Sequence, residues 1–146
     1  MEPLYWEDVA PGDEHSFEDG FDSRRLVIWA AASGDFYQIH YDDEFARKNH
    51  LPGIIVHGAL KGMIVGRLLW EWARGGRIVR WDVSYRGMDA ACEPLAFWAR
   101  VKRVYEADGE GRVDLDVGVR GPDGREGTPG HATVALPRRP GAGGVN

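Results

Sequence analysis

A chain of 146 residues is long enough for one domain with a core of its own, and no second domain is expected. Hydrophobic residues make up 43% of the chain and charged residues 28%, a composition that excludes a disordered or collagen-like protein. The formal net charge of −5 argues against a nucleic-acid partner, because proteins that bind phosphate backbones usually present a basic face.

The N-terminal segment MEPLYWEDVAPGDE is acidic and lacks the basic and apolar regions of a secretory signal, so we expect a cytoplasmic protein. The single cysteine, Cys92, is interpreted as a small buried residue. Residues 54–72 have about the length of a membrane span, but Lys61, Arg67 and Glu71 within them would be costly at bilayer depth. We therefore expect a buried helix there, and no contact with a membrane.

The first third of the chain shows one strand pattern and two short helix patterns, separated by turn residues. Capping residues with side-chain oxygens precede both helix patterns. The predicted elements, in chain order, are a strand over residues 15–18, a helix over 24–32 capped by Ser23 and ended by Ser33-Gly34, and a helix over 44–49 capped by Asp42 or Asp43.

The main helix is predicted over residues 58–73, and Gly75-Gly76 ends it. Gly58, Gly62 and Gly66 recur every four residues, which leaves one helix face almost without side-chain bulk. An interior glycine costs about 1 kcal/mol relative to alanine, so we expect another part of the chain to approach this face closely. The apolar positions of the helix are Leu60, Met63, Ile64, Leu68 and Trp72.

Beyond Gly76 the pattern is one of strands separated by Gly, Pro and Asp turn signals. In residues 113–119, valine and leucine alternate with polar residues or glycine, which is typical of a strand with one buried face. The strands are predicted to form an antiparallel meander over residues 77–86, 94–106, 111–120 and 130–137, with a hairpin turn at 121–124.

One long helix followed by long antiparallel strands predicts an α+β domain in which the sheet wraps around a central helix. This is the outline of a hot-dog fold. We expect the domain to cover residues 1–137 and the tail, residues 138–146, to be disordered.

Residues 33–58 carry the side chains that chemistry would need. Asp35 is a carboxylate, His40 is an imidazole, and His57-Gly58 opens the main helix. An acid, a base and a helix N-terminus are parts of a proton-transfer site. Asp35 and His40 would be well separated around a continuous helix, so the site requires the break at Ser33-Gly34.

Residues 33–42, SGDFYQIHYD, followed by Phe45-Ala46 and by Ile55-Val56-His57-Gly58, resemble the signature of the MaoC-like dehydratases, also called R-specific or type 2 enoyl-CoA hydratases. The resemblance implies a lyase that interconverts trans-2-enoyl-CoA and (R)-3-hydroxyacyl-CoA. It implies that Asp35 and His40 activate the water and that the Gly58 amide receives the thioester oxygen. It also implies that coenzyme A enters only as the substrate's thioester, with no metal and no other cofactor.

The chain departs from that signature between the two catalytic positions, where Tyr37-Gln38 replaces the common Asn-Pro. Phe36, Tyr37, Gln38 and His57 are the candidate substrate-binding residues. His57 considered by itself is more typical of a residue that caps or packs at a helix start.

Two alternatives share the fold. The first alternative to the enzyme described above is a non-catalytic or half-active subunit of a heteromeric hydratase. The second and weaker alternative is a hot-dog acyl-CoA thioesterase. A homodimer or higher oligomer is expected, since the fold commonly completes its sheet edges with a second subunit.

Overall fold

The computed structural model describes residues 2–141, and within them the helices and strands follow the predicted order. A short 3-10 helix over Trp6–Asp8 precedes the first strand, and a second one covers Gln38–His40. The remaining elements are β1 (Glu14–Asp19), α1 (Ser23–Ser33), α2 (Asp43–Lys48), α3 (Gly58–Trp72), β2 (Arg77–Val83), β3 (Leu95–Ala107), β4 (Glu110–Arg120) and β5 (Glu126–Leu136).

The strands form one five-stranded antiparallel sheet in the order β1-β3-β4-β5-β2. The meander is confirmed for β3, β4 and β5, but it is wrong for β2, which pairs with β5 at the sheet edge rather than with β3. The physical reason lies after β2, where the chain continues along β5 instead of turning back. The Ser84 amide donates to Pro129 O at 2.8 Å and the Arg86 amide to Gly127 O at 2.9 Å.

Helix α3 packs against one face of this sheet, and the core is the layer between them. The sheet supplies the alternating residues of β4 to this core. They are all buried: Val113, Leu115, Val117 and Val119. On the helix the buried face is rotated from the predicted one. Met63 is 52% exposed, whereas Lys61 is buried. The buried residues of α3 are Leu60, Lys61, Gly62, Val65, Leu68 and Leu69.

The glycine face of α3 is closely covered, as predicted. A Cβ atom on Gly58 would lie 3.1 Å from the Tyr85 ring, and one on Gly66 would lie 3.3 Å from the Trp81 ring. A Cβ on Gly62 would lie 2.6 Å from the Tyr85 hydroxyl. Side chains of β2 and of the segment after it therefore occupy the space that the missing helix side chains leave free.

The helix caps differ from the prediction at one position. The Asp22 carboxylate accepts from the Arg25 amide at 2.9 Å, so Asp22 caps α1 and Ser23 is its first residue. The second cap is Asp42, whose side chain accepts from the Phe45 amide at 2.9 Å. Both aspartates satisfy an amide that has no partner within the helix.

The prediction that Cys92 is buried is wrong, because its side chain is exposed. Cys92 lies in a turn with a left-handed backbone (φ 66°), and its amide donates to Phe21 O at 3.0 Å. None of the helices within residues 2–141 is long and apolar enough to cross a membrane.

The segment predicted to be disordered begins with two residues that make ion pairs. Arg138 pairs with Glu106 at 2.6 Å, and Arg139 pairs with Asp8 at 2.5 Å. Residues 142–146 of that segment lie outside the described residues.

Candidate functional site

The break after α1 brings the predicted acid and base together. Gly34 ends the helix in a left-handed conformation (φ 79°), and the 3-10 helix Gln38–His40 turns the chain back. As a result, Asp35 Oδ2 and His40 Nε2 lie 4.0 Å apart. This distance is too long for a direct hydrogen bond, but one water oxygen can lie about 2.8 Å from both atoms.

The orientation of His40 follows from its second ring nitrogen. Nδ1 donates to the carbonyl of Ile55 at 2.8 Å, because a carbonyl oxygen can only accept. In the neutral ring the lone pair is therefore on Nε2, the nitrogen that faces Asp35. The His40 side chain is 9% exposed and that of Asp35 is 49% exposed, so a fixed imidazole faces a carboxylate that is open to solvent.

His57 lies directly behind His40. The two rings are stacked with their centroids 3.7 Å apart and their planes at 19°, and His57 Nε2 donates to the carbonyl of Asp35 at 3.2 Å. The residue has no exposed surface. His57 thus contacts both His40 and Asp35 from the buried side of the site. This agrees with the packing role that its place at the start of α3 suggested.

Burial lowers the pKa of His57 from its ordinary value of 6.5, and the neighbouring His40 lowers this pKa further. The unfolded chain therefore takes up a proton on this ring below about pH 6.5, where the folded protein still keeps the ring neutral. We expect the neutral, buried His57 to contribute its full stabilisation above pH 6.5. The free energy of unfolding should then fall as the pH drops from 6.5 towards the lower pKa of the folded state.

Urea unfolding at about pH 8 and at about pH 5.5 measures this effect. The control is His57→Gln, whose amide can still donate to the Asp35 carbonyl but does not titrate. We expect the variant to lose less stability between the two pH values than the unsubstituted protein loses. An equal loss in both proteins would contradict the assignment of this titration to His57.

Tyr37 and Gln38, the residues that depart from the signature, lie at the start of the turn between the acid and the base. The Tyr37 amide donates to Asp35 Oδ1 at 3.3 Å, which helps to hold the carboxylate. Gln38 is the first residue of the 3-10 helix, a position where proline is favoured because the amide needs no partner within the helix. The Tyr37 ring packs edge-on against His40, with centroids 6.4 Å apart, and against Phe45 at 6.0 Å.

The other candidate substrate-binding residues lie at the surface around this turn. Phe36 and Tyr37 are each 54% exposed, and Gln38 is exposed. Phe36 packs edge-on against Tyr41, with centroids 6.4 Å apart. These aromatic side chains form an apolar rim beside Asp35.

A cavity of ≈ 210 Å³ opens beside His40 and the start of α3. Gly58 is the first residue of that helix, and the first amides of a helix have no intrahelical acceptor and lie at its positive end. Gly58 can therefore present an N–H donor to an oxygen in the cavity. The lining residues are His40, Ile55, Val56, Gly58, Lys61, Tyr85, Arg86, Gly87 and Met88.

A larger groove of ≈ 680 Å³ lies on the opposite face of the sheet, and none of the candidate site residues lines it. Its polar side chains are engaged with one another. Thr133 donates to Asp114 at 2.8 Å, and Arg80 pairs with Asp82 at 3.3 Å. We therefore place the functional site at the smaller cavity, which the base and the helix N-terminus line, with the acid 4.0 Å from the base.

The donor atoms of Asp35, His40 and His57 lie within 4.8 Å of one another, close enough for a group that could hold a metal ion. Each imidazole, however, already uses one nitrogen on a backbone carbonyl. The same arrangement suits Asp35 and His40 as a proton-transfer pair, with a neutral His57 packed behind them. The expectation of a reaction without metal stays a prediction.

Sequence reasoning missed a buried ion pair beside the cavity. Lys61 Nζ lies 2.5 Å from Asp89 Oδ2 and 3.0 Å from the carbonyl of Gly87. The side chains are 1% and 5% exposed. The only signal in the sequence was a lysine on the apolar part of a helix, because Asp89 lies 28 residues further along the chain.

Comparison with known proteins places this site in a family. The model of the family described as "MaoC like domain" matches residues 10–112. Among curated proteins, the fatty acid synthase beta subunit hexB of Dothistroma septosporum is 41% identical over 64 residues, which are 41% of this chain. The match covers 3% of that much longer protein.

Solved structures with the same fold include two hydratases. The (R)-hydratase from A. caviae involved in PHA biosynthesis has a TM-score of 0.82 at 21% identity, over 90% of this chain and 99% of that one. R-hydratase PhaJ1 from Pseudomonas aeruginosa has a TM-score of 0.85 at 19% identity, over 94% and 88% of the two chains. The sheet wrapped around α3 is thus the hot-dog fold, as predicted. Since the family model covers most of the sequence, this chain belongs to the MaoC-like family of hydratases and dehydratases.

Proposed function

We propose that the protein is a lyase that interconverts trans-2-enoyl-CoA and (R)-3-hydroxyacyl-CoA. The observation that carries the proposal is the placement of Asp35 Oδ2 and His40 Nε2, 4.0 Å apart, beside a cavity that His40 and Gly58 both line. The base and the helix N-terminus therefore line one small volume, and the carboxylate faces the base. Coenzyme A enters only as part of the substrate.

In the hydration direction, the water lies between the two side chains. His40 Nε2 takes one proton from the water, and the Asp35 carboxylate accepts a hydrogen bond from the other O–H and orients it. The water oxygen bonds to the β-carbon, and the electron pair of the C=C bond moves onto the thioester oxygen as an enolate. The proton on His40 then passes to the α-carbon, so the elements of water are added and both side chains return to their starting state.

The enolate oxygen carries the charge that must be stabilised. The amide of Gly58 donates to it, and the positive end of the α3 dipole favours the negative charge. Removing one such donor from comparable sites typically costs a factor of about 10² to 10³ in rate. We infer that the acyl chain then lies in the same cavity, which Tyr85 and Met88 also line.

The test is the loss of enoyl-thioester absorbance when the protein, purified alone, is mixed with trans-2-enoyl-CoA substrates of increasing chain length. We expect hydration, with (R)-3-hydroxyacyl-CoA identified by chiral chromatography. Release of free thiol without hydration would instead support the thioesterase interpretation. No reaction with any substrate, from a protein shown to be folded, would support the half-active subunit of a heteromeric enzyme.

The mass of the same sample tests the proposed assembly. We propose a homodimer or higher oligomer, because β2 is an edge strand and large apolar side chains lie near it, with Trp81 38% and Tyr85 56% exposed. Edge strands and exposed aromatic side chains are common at subunit interfaces. Light scattering should give at least twice the mass of one chain.

A further inference from the structure

The buried ion pair between Lys61 and Asp89 takes no direct part in the proposed chemistry. We propose that it is a positioning pair for the site: it holds residues 85–90 against α3 and thereby fixes both the orientation of His40 and one wall of the acyl cavity. The inference rests on the proposed hydratase function for its kinetic consequences. Its structural consequence for His40 can be measured independently.

The first connection runs from Asp89 to His40 through one backbone hydrogen bond and one hydrogen bond from the His40 ring. The Val56 amide donates to the carbonyl of Asp89 at 2.9 Å. The residue before it, Ile55, forms a β-bridge with Ala90, and the Ile55 carbonyl accepts from His40 Nδ1 at 2.8 Å. A displacement of Asp89 therefore moves the carbonyl that selects the tautomer of His40.

The second connection runs from Lys61 to the cavity wall. The Lys61 ammonium donates to the carbonyl of Gly87, and Gly87 and Met88 line the cavity opposite His40. The wall has little room to shift, because a Cβ on Gly87 would lie 2.8 Å from Gly127 Cα. Gly87 also donates its amide to Gly127 O at 2.8 Å. Lys61 thus joins the first turn of α3 to the segment after β2 across the cavity.

The chemistry of the pair favours a positioning role over a stabilising one. Taking two charges out of water opposes much of the attraction between them, so an apolar pair of similar size is often as good for stability. A pair of opposite charges is directional, however, because each group must meet its partner at a defined distance. With 1% and 5% exposure, neither group can exchange its partner for water.

The experiment compares the protein with Lys61→Met/Asp89→Leu, in which both charges are removed together and no buried charge is left unpaired. The readouts are kcat and KM on the enoyl-CoA panel, thermal unfolding, and the ¹⁵N chemical shifts of the His40 ring. The control is Arg103→Met, which removes the ion pair of Arg103 with Asp114 from the opposite face of the sheet. Asp89→Asn, which keeps an oxygen acceptor for Lys61, is the conservative variant.

We expect the double variant to remain folded, with kcat reduced by about 10-fold to 100-fold, as for other residues that orient a catalytic group. Its His40 ¹⁵N shifts should move from the Nδ1–H tautomer towards a mixture, and its preference among chain lengths should weaken. Asp89→Asn should retain more of the kcat than the double variant, and Arg103→Met should leave kcat, KM and the His40 signals unchanged.

An unchanged kcat together with unchanged His40 signals in the double variant would overturn the positioning role. If the double variant does not fold, the same two readouts on Lys61→Met/Asp89→Asn decide the question. This variant also removes the Lys61 donor and both charges but keeps a polar side chain at position 89, and unchanged values there would equally overturn the positioning role. If the unsubstituted protein hydrates no substrate, the proposed function fails. The His40 tautomer in the variants then still supports the positioning role if it changes, and overturns it if it does not.

Discussion

Asp35→Asn and His40→Ala should each lower kcat/KM for enoyl-CoA hydration by a factor of about 10² to 10⁴, the usual contribution of a general acid or base. The asparagine cannot carry the negative charge that orients the water. The alanine removes the base at Nε2, 4.0 Å from the carboxylate. The measurement is the initial rate of absorbance loss at several substrate concentrations, which separates kcat from KM.

Both substitutions should leave the fold intact, since the Asp35 side chain is half exposed and neither residue belongs to the main hydrophobic cluster. Suitable controls are Asp43→Asn and His15→Ala, which change the same residue types at exposed positions. The controls should retain full activity. A value of kcat/KM within a factor of about three of the unsubstituted protein, in either site variant, would remove that residue from the proposed proton-transfer pair.

Phe97→Ala should lower the free energy of unfolding by about 3 to 5 kcal/mol, the range for large aromatic truncations in a core. Phe97 has no exposed surface. Its ring stacks on Phe17 of β1, with centroids 5.4 Å apart, and meets Phe21 edge-on at 6.1 Å. The substitution therefore removes the contact that joins β1, β3 and the segment before α1, and leaves a cavity among buried neighbours.

Urea unfolding gives this value directly. Phe97→Leu is the matched control, because it keeps a branched apolar side chain and loses only the aromatic contacts, and it should be clearly less destabilising than the alanine variant. Since Phe97 lies in the hydrophobic cluster and is not among the residues lining the cavity, the folded fraction of Phe97→Ala should keep its activity. A loss of less than about 1 kcal/mol would contradict the packing described for this part of the core.

The sequence predicted the local elements well because local rules govern them. The alternation in residues 113–119 specifies which face of β4 is buried, and α3 begins at Gly58 as predicted. The four-residue spacing of Gly58, Gly62 and Gly66 was sufficient to predict a close approach to the helix. It did not identify Tyr85 and Trp81 as the side chains that make it.

The candidate pair was also accessible from the sequence, since Asp35, His40 and the helix start lie within one short stretch. The Ser33-Gly34 break predicted that a turn would bring the pair together, and the structure shows this turn. The stacking of His57 on His40 was not predicted. It depends on how the start of α3 packs against the turn, which involves residues 17 positions apart in the sequence.

By itself the sequence determined the order and approximate bounds of the elements, the hot-dog outline, and the residues that form the candidate acid, base and oxyanion donor. The elements depend on neighbours within one or two turns of chain, where periodicity, capping and turn residues act. The hot-dog outline follows from the order of the elements, and the roles of Asp35, His40 and Gly58 are those that the resemblance to the MaoC-like signature implies. Only the tertiary structure decided that β2 pairs with β5, that Met63 is exposed while Lys61 is buried, and that Asp89 neutralises Lys61. These features depend on contacts between distant segments, whose energies arise when the sheet closes around α3 and water leaves the space between them.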